Sequence, residues 1–318
     1  MTKVRGVSRV VALTASFRRP AQLAQLLASL GTEAPALAGA TVVDNASDPS
    51  IATMASRVAL PTTVLTPERN LGCGGGIAFG LREVLRDTEA THVWIFDDDA
   101  VAAPGALEAL LKALEEAQAD VAVPLITDAA GRIGWFPGPL VEPAWSVIRT
   151  RHVTPAGLRQ ACGLSPLRWS WAPWTSLLVT RRAVEAVGLP RDDYWFQGED
   201  LEWTLRLSAR FACVLVPGAE CRHLPPSAHD REREFLKQAL MLQNNFFTAT
   251  RLAHGRRLLR HAPGNVGRFL RANGWASSAW AAAGLAFWRG AVRGGPAGAG
   301  GTDGLRLRWL RSDSGRAP

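Results

Sequence analysis

The stretch Trp94 to Ala100 reads WIFDDDA, three large apolar residues followed by three adjacent carboxylates. The apolar run reads as a buried strand and the triplet as its end. Adjacent negative charges repel, and a divalent cation between or beside them removes the conflict. A polar loop that merely closes the strand is the plain alternative. The surroundings decide between the two.

Upstream, VVALTAS (Val10 to Ser16) is a continuous β-rich run, as expected of a strand covered on both faces. After Pro20, Leu23, Leu26, Leu27 and Leu30 recur at three- and four-residue spacing, which predicts a helix with one apolar stripe. TVVDN (Thr41 to Asn45), TTVLT (Thr62 to Thr66), HVWIF (His92 to Phe96) and DVAVPLI (Asp120 to Ile126) read as further strands. Helices are predicted over 76–86 and 104–118, with Pro104 in a first turn that accepts it. This β-α-β order implies an α/β fold with a largely parallel sheet and helices on both faces. Ligands of such sheets bind beyond the carboxyl ends of the strands. Three polar clusters fall at such ends: Thr14 to Arg19, Asp44 to Ser47, and Asp97 to Asp99. That coincidence favours a functional triplet.

From Thr127 to Arg168 no clear period holds, and loops with short strands bordering the site are expected. Trp174 to Gly188 reads as a strand and a short helix, Glu199 to Arg210 as a helix, and Phe211 to Pro217 as a strand. A further helix is expected over 230–252. Trp275 to Trp288 is apolar but falls short of the ~20 residues a membrane span needs. With Arg271, Arg289 and Arg293 around it, it reads either as an interfacial helix or as a helix packed on the main domain. The division expected is a main domain over 1–228, a helical region over 229–293 that is acceptor- or membrane-associated, and a flexible tail over 294–318.

A chain of 318 residues can bury a sizeable core, and 47% hydrophobic with 20% charged residues is an ordinary globular balance. The net charge of +8, carried mostly by Arg, suits anionic partners: nucleic acid, acidic lipid or phosphorylated small molecules. From Arg251 onward the chain is rich in Arg and nearly lacks acids. Cys73, Cys162, Cys213 and Cys221 form no C-x-x-C pair, which argues against zinc or a redox motif and for reduced thiols. Met1 to Arg9 is polar and the apolar run after it is short, so no leader and a cytoplasmic protein are expected, peripheral at the inner membrane face if the C-terminal segment binds lipid.

Two more clusters carry chemistry. RNLGCGGGIAFG holds Gly72, Gly74, Gly75 and Gly76 but fails G-x-G-x-x-G, because Ile77 stands where the third glycine belongs. Without a following G-K-[ST] it is no P-loop. A glycine turn before a helix can still cradle a phosphate or a sugar with backbone N–H groups. In YWFQGEDLEW, Glu199 and Asp200 stand at a helix start. They either favour the helix dipole or act as a pair in which one carboxylate takes a proton and the other orients it. PGAECRH then ends a strand at His223, about where a third metal ligand returns to the sheet edge.

In order, LTASFRRP, VVDNAS, RNLGCGGG, IFDDDA, the GED pair and PGAECRH resemble the inverting family-2 glycosyltransferases, which have the nucleotide-sugar-binding GT-A fold. The resemblance covers roughly residues 8 to 225 and is nearest the bacterial rhamnosyl- and galactofuranosyltransferase-like members. It implies donor contacts at Thr14, Arg18, Asp44, Asn45, Asn70, Gly74, Gly75 and Asp98, with Asp44 at the nucleobase or ribose and Arg18 at the diphosphate. Asp97 and Asp99 match the metal-binding Asp-x-Asp, and His223 completes the shell. Asp200 matches the catalytic base. Glu199 stands where many relatives have Asp, and Cys73 in the glycine turn is unusual.

The implied reaction moves a sugar from a UDP- or dTDP-linked donor to a glycan or lipid-linked glycan, with one displacement and inversion. Mn²⁺ or Mg²⁺ offsets charge on the leaving diphosphate, and a histidine ligand leans toward Mn²⁺. Trp171 and Trp174 are candidates for stacking on sugar faces; twelve tryptophans against one tyrosine suit carbohydrate binding. Other classes fit less well. A sugar-phosphate nucleotidyltransferase needs a glycine-rich phosphate loop after the first strand, where TASFRRP has none. A noncatalytic basic module binding nucleic acid or membrane leaves the acids and His223 without purpose. A glycoside hydrolase uses paired carboxylates but needs no nucleotide-type sheet.

Overall fold

The computed structural model describes residues 9–33, 36–138, 140, 153–225, 234–251, 262–273 and 277–292; the expected tail over 294–318 lies outside the described residues. Among these, ten strands form one sheet in the order β3-β2-β1-β4-β9-β6-β10-β5, with β7 beside β6 and β8 beside β10. The strands are β1 Val10–Ser16, β2 Leu37–Asp44, β3 Thr62–Leu65, β4 His92–Asp97, β5 Ala100–Ala102, β6 Val121–Thr127, β7 Ile133–Trp135, β8 Leu167–Arg168, β9 Ser176–Thr180 and β10 Cys213–His223. Contacts divide the chain into two units. The first is Met1–Asn70, Gly76–Leu189 and Trp203–Pro225, and the second is Leu71–Gly75, Pro190–Glu202 and Pro226–Pro318.

The sheet lies in the first unit. Strands β3, β2, β1 and β4 run parallel, as the alternation with helices predicts. The sheet is nonetheless mixed, because β9 inserts antiparallel between β4 and β6, and β5 pairs antiparallel with β10. Helix α1 (Pro20–Thr32) buries Leu23, Leu26, Leu27 and Leu30, the four leucines of the apolar stripe. They share one core cluster with Val10, Ala12, Trp94 and Phe96 of the strands. Each of the buried leucines stabilises the fold by about 1.5–3 kcal/mol. Helix α2 is Pro49–Ala55, and helix α3 is Gly72–Asp87. Gly80 of α3 lies so close to the sheet that a Cβ there would sit 2.4 Å from the Leu13 side chain.

Helix α4 spans Ala106–Glu116 and begins two residues after Pro104, because Gly105 adopts φ +77° ahead of it. The buried Glu33 carboxylate caps it from outside, accepting from Gly105 N (2.7 Å) and Leu107 N (3.0 Å). The region read as loops contains a helix, α5 (Pro155–Cys162), with Thr154 as its N-cap and Pro155 in its first turn. It buries little besides Leu158, so its apolar period is faint. Helices α6 (Arg181–Val187) and α7 (Glu199–Ser208) follow.

In the second unit α8 (Glu234–Arg251), α9 (Ala262–Ala272) and α10 (Ser277–Phe287) build a separate small core of Ala239, Leu242, Phe246, Phe269, Leu270, Ala279, Ala283 and Ala286. A π-helical turn, Trp288–Val292, continues α10.

Candidate active site

Register places the acidic triplet. In the ladders Ser16 faces Asp44 and Ala15 faces Asp97, so the carboxyl ends of β1, β2 and β4 reach one sheet edge together. The chain leaves β4 at Asp97, turns through Asp98 and Asp99, and enters β5, whose Ala100 pairs with His223 at the end of β10. The Leu224 N–H donates to Asp99 O at 2.7 Å and tightens that return. One carboxylate oxygen each from Asp97 and Asp99 and one His223 ring nitrogen therefore lie within 4.8 Å of one another. Two carboxylates and an imidazole are a donor set for a divalent ion, and the imidazole favours Mn²⁺ over Mg²⁺.

The middle residue faces elsewhere. Asp98, 5% exposed, accepts from Ser16 Oγ (2.7 Å) and from Arg19 Nη1 (2.8 Å). The same Arg19 nitrogen reaches Asp99 Oδ2 at 2.9 Å. Burial pushes the Asp98 carboxyl up, against the pull of Arg19, and the neighbouring Asp99 adds to the rise. His223 Nε2 lies 3.3 Å from Asp99 Oδ1. Burial disfavours its charged form, but the Asp99 and Asp97 carboxylates outweigh burial and raise its pKa.

The glycine run and the GED segment, separate in sequence, form one structure in the second unit. Gly72 opens α3 with φ +76°, and a Cβ there would lie 2.1 Å from Trp195 O. Cys73 N donates to that carbonyl at 2.8 Å. At Gly74 a Cβ would meet Tyr194 O at 2.5 Å. These glycines lie in the first helical turn, not in a turn ahead of it, and close backbone approach accounts for Gly72 and Gly74 without a ligand. Gly75 faces Leu71 and Asp192.

The GED pair follows two residues at positive φ, Gln197 at +68°, where a side chain is strained, and Gly198 at +92°, which glycine adopts freely. The buried Asn244 of α8 pins them, its Nδ2 donating to Phe196 O at 3.1 Å and also to Gln197 O. Tyr194 Oη and Thr248 Oγ1 share a buried hydrogen bond of 2.7 Å. Leu201 N donates to Asp200 Oδ1 at 2.7 Å, yet burial dominates and pushes the Asp200 carboxyl up to about 6. A carboxylate of that basicity suits proton abstraction near neutral pH.

The glycosyl transferase family 2 model matches residues 12–161, which hold α1, the glycine run and the triplet. Over residues 12–161, just under half of the chain, the match is to a family-2 glycosyl transferase domain. Galactofuranosyltransferase GlfT1 of Mycobacterium tuberculosis (strain ATCC 25618 / H37Rv) is 28% identical over 204 residues, 62% of this chain and 64% of that protein. GlfT1 of Mycolicibacterium smegmatis is 40% identical over 58 residues, 18% of this chain and 19% of that one. The chain thus spans less than two thirds of the length of these relatives. Among solved structures, S. aureus TarS 1-349 matches with a TM-score of 0.54 at 15% identity, over 89% of this chain and 81% of that one. GalNAc-T7 with UDP, GalNAc and Mn²⁺ matches with a TM-score of 0.54 at 14% identity, over 81% of this chain and 55% of that one. At such identities the likeness shows the fold, which is GT-A.

Within the family-2 domain the expected donor residues divide. Asp44 is buried and its carboxylate closes a local turn, accepting from Ala46 N (2.9 Å) and Asp48 N (2.7 Å). Asn45 is buried, and its amide lies against α3, where a Cβ at Gly76 would sit 2.9 Å from Nδ2. Asn70 stands two residues before α3. Arg18 is exposed, holds φ +58° and places its guanidinium 5.1 Å from the centre of the Phe17 ring.

Two expectations need correction. Thr14 is 2% exposed in mid-strand, its hydroxyl without a hydrogen-bond partner among the described residues, and the β1 hydroxyl at the edge is that of Ser16. Trp174 is 2% exposed and packs edge-on against Trp203 at 6.1 Å, which makes it a core residue rather than a sugar platform. Trp171 remains half-buried, bridged through its backbone to Gly138. The arginine on the triplet is Arg19, which the sequence reading passed over; the doubled RR was its only signal.

Proposed function

We propose that this family-2 domain is an inverting glycosyltransferase that moves a sugar from a nucleotide-diphospho-sugar to a hydroxyl of a glycan or lipid-linked glycan. The observation that carries the reading is the convergence of Asp97, Asp99 and His223 at the carboxyl edge of the sheet. A donor linked to UDP is favoured over dTDP, because the matching solved proteins include TarS with UDP-GlcNAc and GalNAc-T7 with UDP. The relatives named as galactofuranosyltransferases support galactofuranose ahead of rhamnose.

Asp97, Asp99 and His223 would hold a divalent ion, Mn²⁺ before Mg²⁺. When bound, such an ion supplies Lewis-acid stabilisation of charge on a departing diphosphate. The chain's own residues do the rest. Arg19 and Ser16 hold Asp98 and Asp99 in fixed orientations, and the exposed Arg18 is the cation for the diphosphate. Asp200 accepts the proton of the acceptor hydroxyl as that oxygen attacks the anomeric carbon opposite the leaving group. One such displacement inverts the centre. Glu199 orients the base. No helix among the described residues is long and apolar enough to cross a membrane. A cytoplasmic enzyme working on an acceptor at the inner membrane face fits the proposed chemistry.

Calorimetric titration with UDP and with dTDP, each with Mn²⁺ and then with EDTA, tests this. UDP is expected to bind only with metal, and Asp97→Ala to remove the metal-dependent part. Equal binding in EDTA, or no binding of UDP, dTDP or GDP with Mn²⁺ present, would overturn the reading.

A further inference from the structure

Helix α10 and its π turn are built inside out. The side facing the second unit's core carries small residues, Ala279, Ala283, Ala286 and Gly290, all buried. Gly290 approaches α8 so closely that a Cβ would lie 2.2 Å from Gln243 O. The large apolar side chains are left outside: Trp280 is 52% exposed, Phe287 48%, Trp288 47% and Val292 54%. With exposed Ala281 and Gly284 they recur at helical spacing and form one continuous stripe. Of the six most exposed large apolar residues among those described, four lie on this one helix, so the exposure is a patch and not scatter. Phe287 is steadied by an edge contact with Phe246 at 5.1 Å between ring centres, so the patch is presented from a packed base.

Charge points to the occupant. Residues 235–318 contain thirteen Lys and Arg against two Asp, a net +11, so the first 234 residues sum to −3 and the chain's whole excess lies here. Residues 277–292 have no acid and one Arg, Arg289, and α9 exposes Arg268 and Arg271. An exposed aromatic stripe in a region of such net positive charge matches an anionic bilayer surface, with the rings at headgroup level and guanidinium groups on phosphates. Nucleic acid would call for cations within the stripe itself. Eleven residues of α-helix and a five-residue π turn are too short to span the ~20 residues' depth of a bilayer.

We propose that the face carrying Trp280, Phe287, Trp288 and Val292 docks on an anionic lipid bilayer. The full-length protein is expected to sediment with phosphatidylglycerol-containing vesicles, weakly with pure phosphatidylcholine, and less as salt rises. The triple variant Trp280→Ser, Phe287→Ser, Trp288→Ser should lose at least about tenfold in vesicle affinity. Brominated acyl chains should quench the wild-type tryptophan emission, and Trp280→Phe and Trp288→Phe, which preserve packing, should each remove part of that quenching. No sedimentation, equal binding by the triple variant, or quenching unchanged in both Phe variants would overturn the proposal. So would a dimer dissolved by the same substitutions, which would make the occupant a second copy, or duplex DNA binding lost with them. Vesicle binding is read without donor or acceptor, so its outcome is separate from that of the transfer reaction.

Discussion

Two acidic regions of this chain are held in place by opposite means. Asp97, Asp99 and His223 sit at ends of paired strands, where backbone ladders fix their spacing and register. Glu199 and Asp200 follow two left-handed residues, and the buried side chain of Asn244 holds the preceding carbonyls. A ladder spreads the work of positioning over many hydrogen bonds, so no single side chain is decisive. A strained turn pinned by one amide concentrates it. Substitutions around the triplet should therefore change metal-dependent donor binding and stability, whereas those around the GED pair should change turnover most.

The largest expected effect breaks the second region at its proposed base. Asp200→Asn should lower transfer by about a thousandfold while leaving UDP binding intact, since an amide cannot take the proton. Turnover close to wild type would remove Asp200 from the base role. The same change should stabilise the fold at neutral pH. The Asp200 carboxyl rises from 3.8 to about 6 in the folded protein, so the folded state binds more protons across that window. Stability contributed by this group falls as pH climbs from 3.8 to about 6, and the whole cost, on the order of 3 kcal/mol, is present above it. The gain in thermal stability of Asp200→Asn should therefore appear at pH 7 and shrink near pH 4.

In the first region the matching break is Arg19→Met. Arg19 bonds two buried carboxylates with one nitrogen, and removing it leaves Asp98 with the Ser16 hydroxyl alone among the described residues. Loss of one member of a buried pair costs about 3 kcal/mol at neutral pH. Asp98 is already raised by burial, so acid should relieve the loss by protonating it. Denaturant unfolding at two pH values reads both effects. A loss independent of pH would mean that Arg19 acts by packing alone.

Much of this architecture is legible in the sequence. Val10 to Ser16 reads as a buried strand because it is a continuous run rich in strand formers with no charge, and it folds as one. The triplet at the end of β4 and His223 at the end of a returning strand follow from the same kind of reading. What sequence conceals is contact between distant segments. Nothing local tells Arg18 from Arg19; the choice is made where Arg18 takes φ +58° and turns outward. The glycine run looks like a ligand cradle until Trp195, more than a hundred residues later, is seen against it. Trp174 looks like a platform until Trp203 covers its edge. Buried length along one strand is a local property, but who fills a glycine's empty side is not.

The smallest and most discriminating test lies in α8. Asn244 fixes the carbonyls of Phe196 and Gln197, just ahead of the GED pair. Asn244→Ala should let that turn relax and lower kcat by about tenfold, since small displacements of a catalytic group are costly. Donor binding should not change. Asn244→Asp separates the two ways the residue could act, because it keeps the volume beside Gly198 but offers carbonyls no N–H. If donation holds the turn, Asp should fare no better than Ala, as two acceptor oxygens would then face two carbonyls. If filling space suffices, Asp should restore turnover, and the strained turn would owe its shape to Gly198 and its neighbours instead.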